Sequence, residues 1–280
     1  MARGNRIVTK PTAYDQFRLL HERPGAFVMP NAWDGGSAVL LKRAGFEALG
    51  STSFAIAAAL GRQDGSRAVT RTALISNAAL LGRLTGLPVN GDLEDGYGAT
   101  PDDCIATVEA AIEGGLAGLG IEDTTANPDC PIHGFDAAVA RVRAAAHAAQ
   151  GRILLTARAD GFLYGPADLD DVIRRLAAFA EVGADVLYAP ALPDMNAIRA
   201  VVRAVAPKPV NVLIGPGVSL NELASAGVRR VSLGGALYRR AMAGLIDAAA
   251  AIRAGDLAAA ISGAVPGSEL TNLLPKLSTN

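Results

Sequence analysis

Three acidic residues stand where their spacing could hold a cation. Asp92 and Glu94 lie in the segment GDLEDGYG (91–98), Glu122 lies near the end of GLGIED (118–123), and Thr156, Arg158 and Asp160 close ILLTARAD (153–160). If these segments are strands, residues two apart share a face, so Asp92 and Glu94 point one way, as do Thr156, Arg158 and Asp160. With Glu122 one strand over, three carboxylates meet near one point, and their repulsion is costly unless protons or a cation offset it. A bound dication is the simplest remedy. Oxygen-only ligands and the lack of a close histidine pair suit Mg2+, or Mn2+, better than zinc. Such an ion beside a ketone and a carboxylate stabilises the enolate left when a neighbouring bond breaks. The competing reading pairs the acids with arginines such as Arg158, or leaves them solvated at a rim. Arg158 is the one fixed cation among them; its fork of N–H donors can grip a substrate carboxylate or make a structural salt bridge. Asn211, near another strand start, could donate to the same ligand.

The elements that must position these residues repeat. Gly45, Gly115, Gly183 and Gly227 each close an amphipathic stretch, and apolar Leu49, Leu119, Leu187 and Val231 follow four residues later. Glycine tolerates the left-handed conformation that ends a helix, and an apolar run after it reads as a buried strand. Helix starts are marked by Thr100 ahead of Pro101, Asp102 and Asp103, and by Ser219 with Glu222 as a capping box. Ile105, Val108 and Ile112 share one helical face; Leu169, Val172, Ile173 and Leu176 share another. Strands are predicted at 26–32, 47–53, 88–94, 118–123, 153–160, 186–191, 210–214 and 229–234. Eight strands alternating with helices predict an α/β chain folded as a (β/α)8 TIM barrel with extra C-terminal helices, the open doubly wound sheet being the rival. The expected organisation is one domain over 1–280, with an arm at 1–13 and a helical extension from about 237 to 280, broken near Gly255 and Pro266. In such barrels the active site forms at the C-terminal strand ends, where the acids fall.

Composition limits the partners. The 280 residues carry 26 Lys and Arg against 27 Asp and Glu, a formal net charge of −1, which argues against nucleic acid or an anionic membrane and for a small molecule. Cys104 and Cys130 are too few for a disulfide framework and suit a reducing, cytoplasmic compartment. Arg3, Arg6 and Lys10 precede no apolar run, so neither a signal peptide nor a membrane span is expected. None of the lysines (Lys10, Lys42, Lys208 and Lys276) falls at the C-terminal end of a predicted strand, which disfavours Schiff-base chemistry.

Over residues 26 to 235 the chain resembles the isocitrate lyase and phosphoenolpyruvate mutase superfamily. The resemblance is carried by PNAWDGGSAVLLKRAGFEALGSTS (30–53), LGRQDG (60–65), GDLEDGYG (91–98), GLGIED (118–123), TARAD (156–160) and VGADVLYAP (182–190). It implies a Mg2+-dependent enzyme acting on 2-oxo acids such as oxaloacetate, in a homotetramer that exchanges C-terminal helices. It also implies Asp92 as direct metal ligand, with Asp64, Glu94 and Glu122 acting largely through water. Ser51, Thr52 and Ser53 match the cradle for the substrate carboxylate, Trp33 an aromatic in the pocket wall, and Arg158 the substrate-binding arginine. One motif departs from the pattern. The lyases carry Lys-Lys-Cys-Gly-His on a mobile loop; here the corresponding loop DTTANPDCPIHGF (123–135) has Cys130 about where the family places that cysteine, but Pro128 and Asp129 replace the lysines and Pro131 the glycine, so the motif is broken. Cys130 or His133 is then a substitute acid or base in a lid, or an ordinary loop residue. The leading expectation is a carbon–carbon lyase or decarboxylase passing through pyruvate enolate. Phosphonomutase-type phosphorus–carbon chemistry is the alternative, followed by a barrel that only binds 2-oxo acids.

Overall fold

Each predicted strand segment contains a strand. The computed structural model describes residues 11–65, 67–215 and 217–275, so most of the expected N-terminal arm lies outside the described residues. The strands are β1 (Phe27–Met29), β2 (Leu49–Gly50), β3 (Val89–Asp92), β4 (Gly118–Glu122), β5 (Leu154–Arg158), β6 (Val186–Tyr188), β7 (Val210–Leu213) and β8 (Arg230–Ser232). All pair in parallel, in the order β1, β8, β7, β6, β5, β4, β3, β2. Helices join successive strands, and the four punctuating glycines adopt positive φ, from +75° at Gly115 to +110° at Gly183. Their role as helix stops follows from that conformation.

The ring closes between β1 and β2 through a parallel bridge, Asn31 to Gly50. Ala32 N donates to Gly50 O at 2.8 Å and Gly50 N to Pro30 O at 2.9 Å. Only glycine fits here, since a Cβ on residue 50 would stand 2.7 Å from Asn31 Nδ2. Asn31 also pins the seam above: its Nδ2 donates to Ser51 O at 2.7 Å, and its Oδ1 accepts from Leu233 N and Gly234 N, each at 2.9 Å. Three strand ends are thereby held by one buried amide.

Two apolar layers hold the barrel. The larger lies between strands and outer helices, where Val108, Val172 and Leu176 are buried as their spacing predicts, with Ile105, Ile112, Leu169 and Ile173 packed on its edge. Burying each such side chain contributes about 1.5–3 kcal/mol. The smaller fills the lumen near the strand starts, where Phe27, Met29, Ala48, Ala117 and Leu154 meet Phe17 and Leu20 of the helix Ala13–Glu22. That helix stoppers the end opposite the acids. Capping boxes at Thr100–Asp103 and Ser219–Glu222 start their helices as expected.

His21 of the stopper is 7 % exposed and faces the rings of Phe17 and Phe27 and the guanidinium of Arg230. Its Nδ1 lies 2.9 Å from Phe17 O, which can only accept, so Nδ1 carries the hydrogen and Nε2 is left to accept from Arg230. Burial, then the Arg230 charge, pull the imidazole pKa from 6.5 down to about 3. The folded ring is therefore neutral where the unfolded one binds a proton, so this contribution is full above pH 6.5 and is lost as pH falls from there toward 3. His21→Gln should flatten the acid limb of denaturant-measured stability by up to about 1.4 kcal/mol per pH unit between pH 6 and 4.5. Parallel limbs for the two proteins would refute it.

Helices Ala236–Arg253, Leu257–Ile261 and Gly267–Leu273 follow β8, with breaks at the predicted places. None contains a buried residue, and an ion pair between Arg43 and Glu269 ties the last of them back to the helix Gly35–Arg43. No helix among the described residues is long and apolar enough to cross a membrane.

Candidate active site

At the C-terminal strand ends opens a cavity of about 390 Å3, lined among others by Ser51, Thr52, Ser53, Asp64, Asp92, Glu94, Glu122 and Arg158. These are eight of the residues expected at the site. Six carboxylates (Asp64, Asp92, Glu94, Asp95, Glu122 and Asp160) face four guanidiniums (Arg67, Arg158, Arg230 and Arg239), an excess of negative charge.

Asp92 ends β3 and is held through both carboxylate oxygens. Its Oδ2 accepts from Ser53 N at 2.9 Å and Ser53 Oγ at 3.0 Å, and its Oδ1 accepts from Arg158 Nη1 at 3.0 Å. The segment expected as strand through 53 instead turns at Thr52, and Ser53 opens the helix Ser53–Ala59. That turn frees the Ser53 N–H, which an extended strand would spend on its neighbour. Asp92 N donates to Ser51 Oγ at 2.8 Å, which leaves the Ser51 hydroxyl hydrogen free for a ligand.

Glu94 reaches the same cavity by another route than strand alternation. β3 stops at Asp92, Leu93 turns into the core, and Glu94 sits at φ +47°. Arg67 and Tyr97, at +59° and +62°, share this left-handed conformation, which costs a non-glycine residue on the order of 1 kcal/mol or more. Hydrogen bonds hold it in place. Arg67 N donates to Glu94 Oε2 at 3.0 Å, its Nε and Nη2 grip Asp95 at 3.2 and 2.6 Å, and Tyr97 OH donates to Val69 O at 2.9 Å. The clasp fastens the loop that bears Asp64 onto the end of β3.

Arg158 stands among the acids. Its Nη1 lies 3.0 Å from Asp92 and 2.9 Å from Glu122, and its Nη2 and Nε bind Asp160 at 2.7 and 3.2 Å. Hydrogen bonds to Asp92 and Asp160 commit three of its five N–H donors, Glu122 is held as an ion pair, and its face lies over Tyr188, 5.1 Å from the ring centroid. Burial opposes its charge, but Asp160, Glu122 and Asp92 outweigh it and hold its pKa well above the usual range. The pairing of acids with Arg158, the competing reading above, is therefore present.

Among the described residues no group of three carboxylates stands at metal-ligand spacing, and Arg158 pairs with both Asp92 and Glu122. The donor set nevertheless fits a hard dication. Burial, then the charge of Asp92, raises Asp64; burial, then Asp64, Asp92 and Asp95, pushes Glu94 up to about 7. Burial raises Glu122 as well, although Arg158 works against it. A dication at Asp92, Asp64, Glu94 and Glu122 would relieve that repulsion through oxygen ligands alone.

The remaining expected residues stand off the cavity. Trp33 packs edge-on against Tyr238 at 5.4 Å and borders the core. Asn211 is buried beneath, donating to Ser232 Oγ at 2.9 Å and accepting from Arg230 Nε at 2.9 Å, because the register of β7 sets it below the strand ends. Loop 123–135 contributes Thr124, Thr125 and Ala126 to the lining, whereas Cys130 is exposed, His133 is half-buried, and neither lines the cavity. A bridge between Thr124 and Ile132 folds this loop on itself. Arg175 Nη1 latches it by donating to Asp123 Oδ2 at 3.2 Å and His133 O at 2.9 Å. Cys104 is packed, its thiol pushed up to about 11 by burial.

Sequence reasoning missed Arg67, Asp95, Tyr188, Tyr164, Arg239 and Arg230 as cavity residues. Only Arg230 carried a legible signal, being a charged residue two positions from Ser232 inside a buried strand.

Known proteins resemble this chain over most of its length. A family model described as phosphoenolpyruvate phosphomutase matches residues 17–253. An uncharacterized protein of Mycobacterium tuberculosis is 37% identical over 91% of this chain and 94% of its own. The oxaloacetate decarboxylase of Paraburkholderia xenovorans is 29% identical over 93% of this chain and 89% of its own. A crystal structure from Burkholderia cenocepacia J2315, described only as a lyase/mutase, superposes with a TM-score of 0.88 at 45% identity, covering 93% of this chain and 94% of that one.

Proposed function

Because the chain belongs to the phosphoenolpyruvate phosphomutase family, within the isocitrate lyase and phosphoenolpyruvate mutase superfamily, we propose that it is a Mg2+-dependent lyase or decarboxylase. It would cleave a carbon–carbon bond of a small 2-oxo or 2-hydroxy acid of the oxaloacetate kind. The observation that carries this reading is the placement of Asp92, fixed by Ser53 and Arg158 amid an excess of carboxylates. The similarity to an oxaloacetate decarboxylase supports the substrate class.

Asp92, with Asp64, Glu94 and Glu122, would hold Mg2+, which when bound supplies charge stabilisation to an enolate oxygen. The chain's own groups bind and orient. Ser51 offers its free hydroxyl hydrogen to a substrate oxygen, and Ser53 fixes the Asp92 rotamer. Arg158 aligns Asp92, Glu122 and Asp160. Thr124 Oγ1, donating to Glu122 Oε2 at 2.8 Å, ties the loop to the acids. A coupled pyruvate assay with oxaloacetate and 2-methylisocitrate, run with Mg2+ and with EDTA, tests the reading. Mg2+-dependent pyruvate release is expected; no turnover of either acid overturns it. Phosphorus NMR with phosphonopyruvate should stay unchanged, and a new resonance would favour the mutase alternative.

Cys130 and His133 can serve as acid or base only if loop 123–135 refolds over the cavity, since its latch now holds them away. We expect Cys130→Ser and His133→Asn to change kcat less than about threefold. A loss on the order of 10²-fold, the size of a general acid–base contribution, would restore either residue to that role.

A homo-oligomer is part of the same proposal. Leu245, Ile246, Ile252, Leu257 and Ile261 of the C-terminal helices are each more than half exposed, a run of apolar surface that a second copy would cover. Light scattering should return a multiple of one chain's mass, and a monomer would end the idea.

A further inference from the structure

Arg230 of β8 is 1 % exposed, yet it forms part of the cavity floor. Its hydrogen-bond partners are all neutral: Nε donates to Asn211 Oδ1 at 2.9 Å, Nη2 to Thr156 Oγ1 at 3.0 Å, and Nη1 faces His21 Nε2 at 3.4 Å. Two of its five N–H donors remain uncommitted. Arg158 is matched by three carboxylates and Arg175 by Asp123 and Asp171, while the other fully buried arginine, Arg141, lies outside the cavity and gives its N–H groups to the backbone carbonyls of Asp95, Gly98 and Thr100. Among the described residues no carboxylate acts on Arg230; the nearby cation Arg158 opposes it. Burial, with that opposition, draws its pKa down to about 9, so the guanidinium is still charged at neutral pH. A charge buried without a counter-charge is costly, and the cavity is the side from which one can come.

We propose that Arg230 is the receptor for the distal carboxylate of a dicarboxylic substrate whose 2-oxo acid end lies at Asp92 and Ser51. This deepens the reading above and rests on it for the identity of the other end. The geometry supports it. Thr156, which Arg230 touches, precedes Arg158 by two residues on β5, so the floor lies roughly 6.6 Å beneath the acid ring. The cavity therefore has an acidic mouth and a cationic floor. A planar guanidinium with free N–H groups matches a carboxylate, and one unmatched positive charge balances one carboxylate rather than a phosphonate dianion. Arg158 is already matched by three carboxylates and so has no unmatched charge for that role.

Calorimetry on the full chain in chloride-free buffer tests the assignment in two arms. With EDTA and propionate, whose one carboxylate needs no metal, wild type should bind saturably and Arg230→Gln should bind at least tenfold more weakly. Arg230→Lys keeps the charge but cannot span Asn211 and Thr156 together, and it should also weaken binding, with melting curves checking that both variants fold. Absence of saturable propionate binding by wild type, or equal binding by folded variants, overturns the proposal. A wild-type crystal grown with propionate must place its carboxylate on Arg230, and a carboxylate found elsewhere overturns it equally. The second arm uses Mg2+ and oxalate, which fits the acidic mouth alone. If oxalate fails while propionate binds at Arg230, the metal reading falls and the floor receptor stands.

Discussion

Asp92→Asn should reduce kcat/KM for the 2-oxo acid by about 10³-fold or more, with the fold intact. Asparagine keeps the size of the side chain, but one of its two polar positions becomes an NH2. At Oδ2 that NH2 would confront the Ser53 N–H and hydroxyl, and at Oδ1 it would confront Arg158. The charge that would hold a dication is removed at the same stroke. A loss of 10³ corresponds to about 4 kcal/mol of transition-state stabilisation, within the several kcal/mol that a metal ion contributes to an enolate. Steady-state kinetics across a Mg2+ titration would measure it. Activity within tenfold of wild type at saturating Mg2+ would remove Asp92 from the centre of the site.

Arg158→Met should destabilise the chain by about 3–5 kcal/mol in the absence of divalent cations. The substitution removes the one cation that Asp92, Glu122 and Asp160 share and leaves three carboxylates in a buried setting. For a chain of this size the melting temperature should fall by roughly 6 °C or more. Saturating Mg2+ should recover more stability in the variant than in wild type, because a dication bound only by the folded state takes over part of the neutralisation. Equal Mg2+ effects on both proteins would mean that the acids and the ion do not share a site.

The repeat of helix, glycine and strand was legible because it depends on local chemistry. A left-handed glycine, a capping box and an apolar face act within a few residues, and each appears where its pattern falls. The acids of the cavity were legible for a related reason, since in a parallel barrel any residue just past a strand is carried to the same rim. What escaped was less regular. Glu94 reaches the cavity through a left-handed turn rather than strand alternation, and that turn exists because Arg67, twenty-seven residues earlier, clasps Glu94 and Asp95. Asn211 sits at the start of β7, below the rim, because strands in a barrel are staggered and their numbering does not give their depth.

The sequence by itself therefore determined the barrel, its helix-ending glycines and the gathering of carboxylates, all of which follow from short-range preference and the period of strand and helix. Tertiary structure alone decided how those charges are balanced: Arg158 among the three acids at the mouth, and Arg230 without an acid on the floor. Charge pairing is set by separation through space and by burial, and residues 92, 122, 158 and 230 acquire their separations only when eight strands close into a ring.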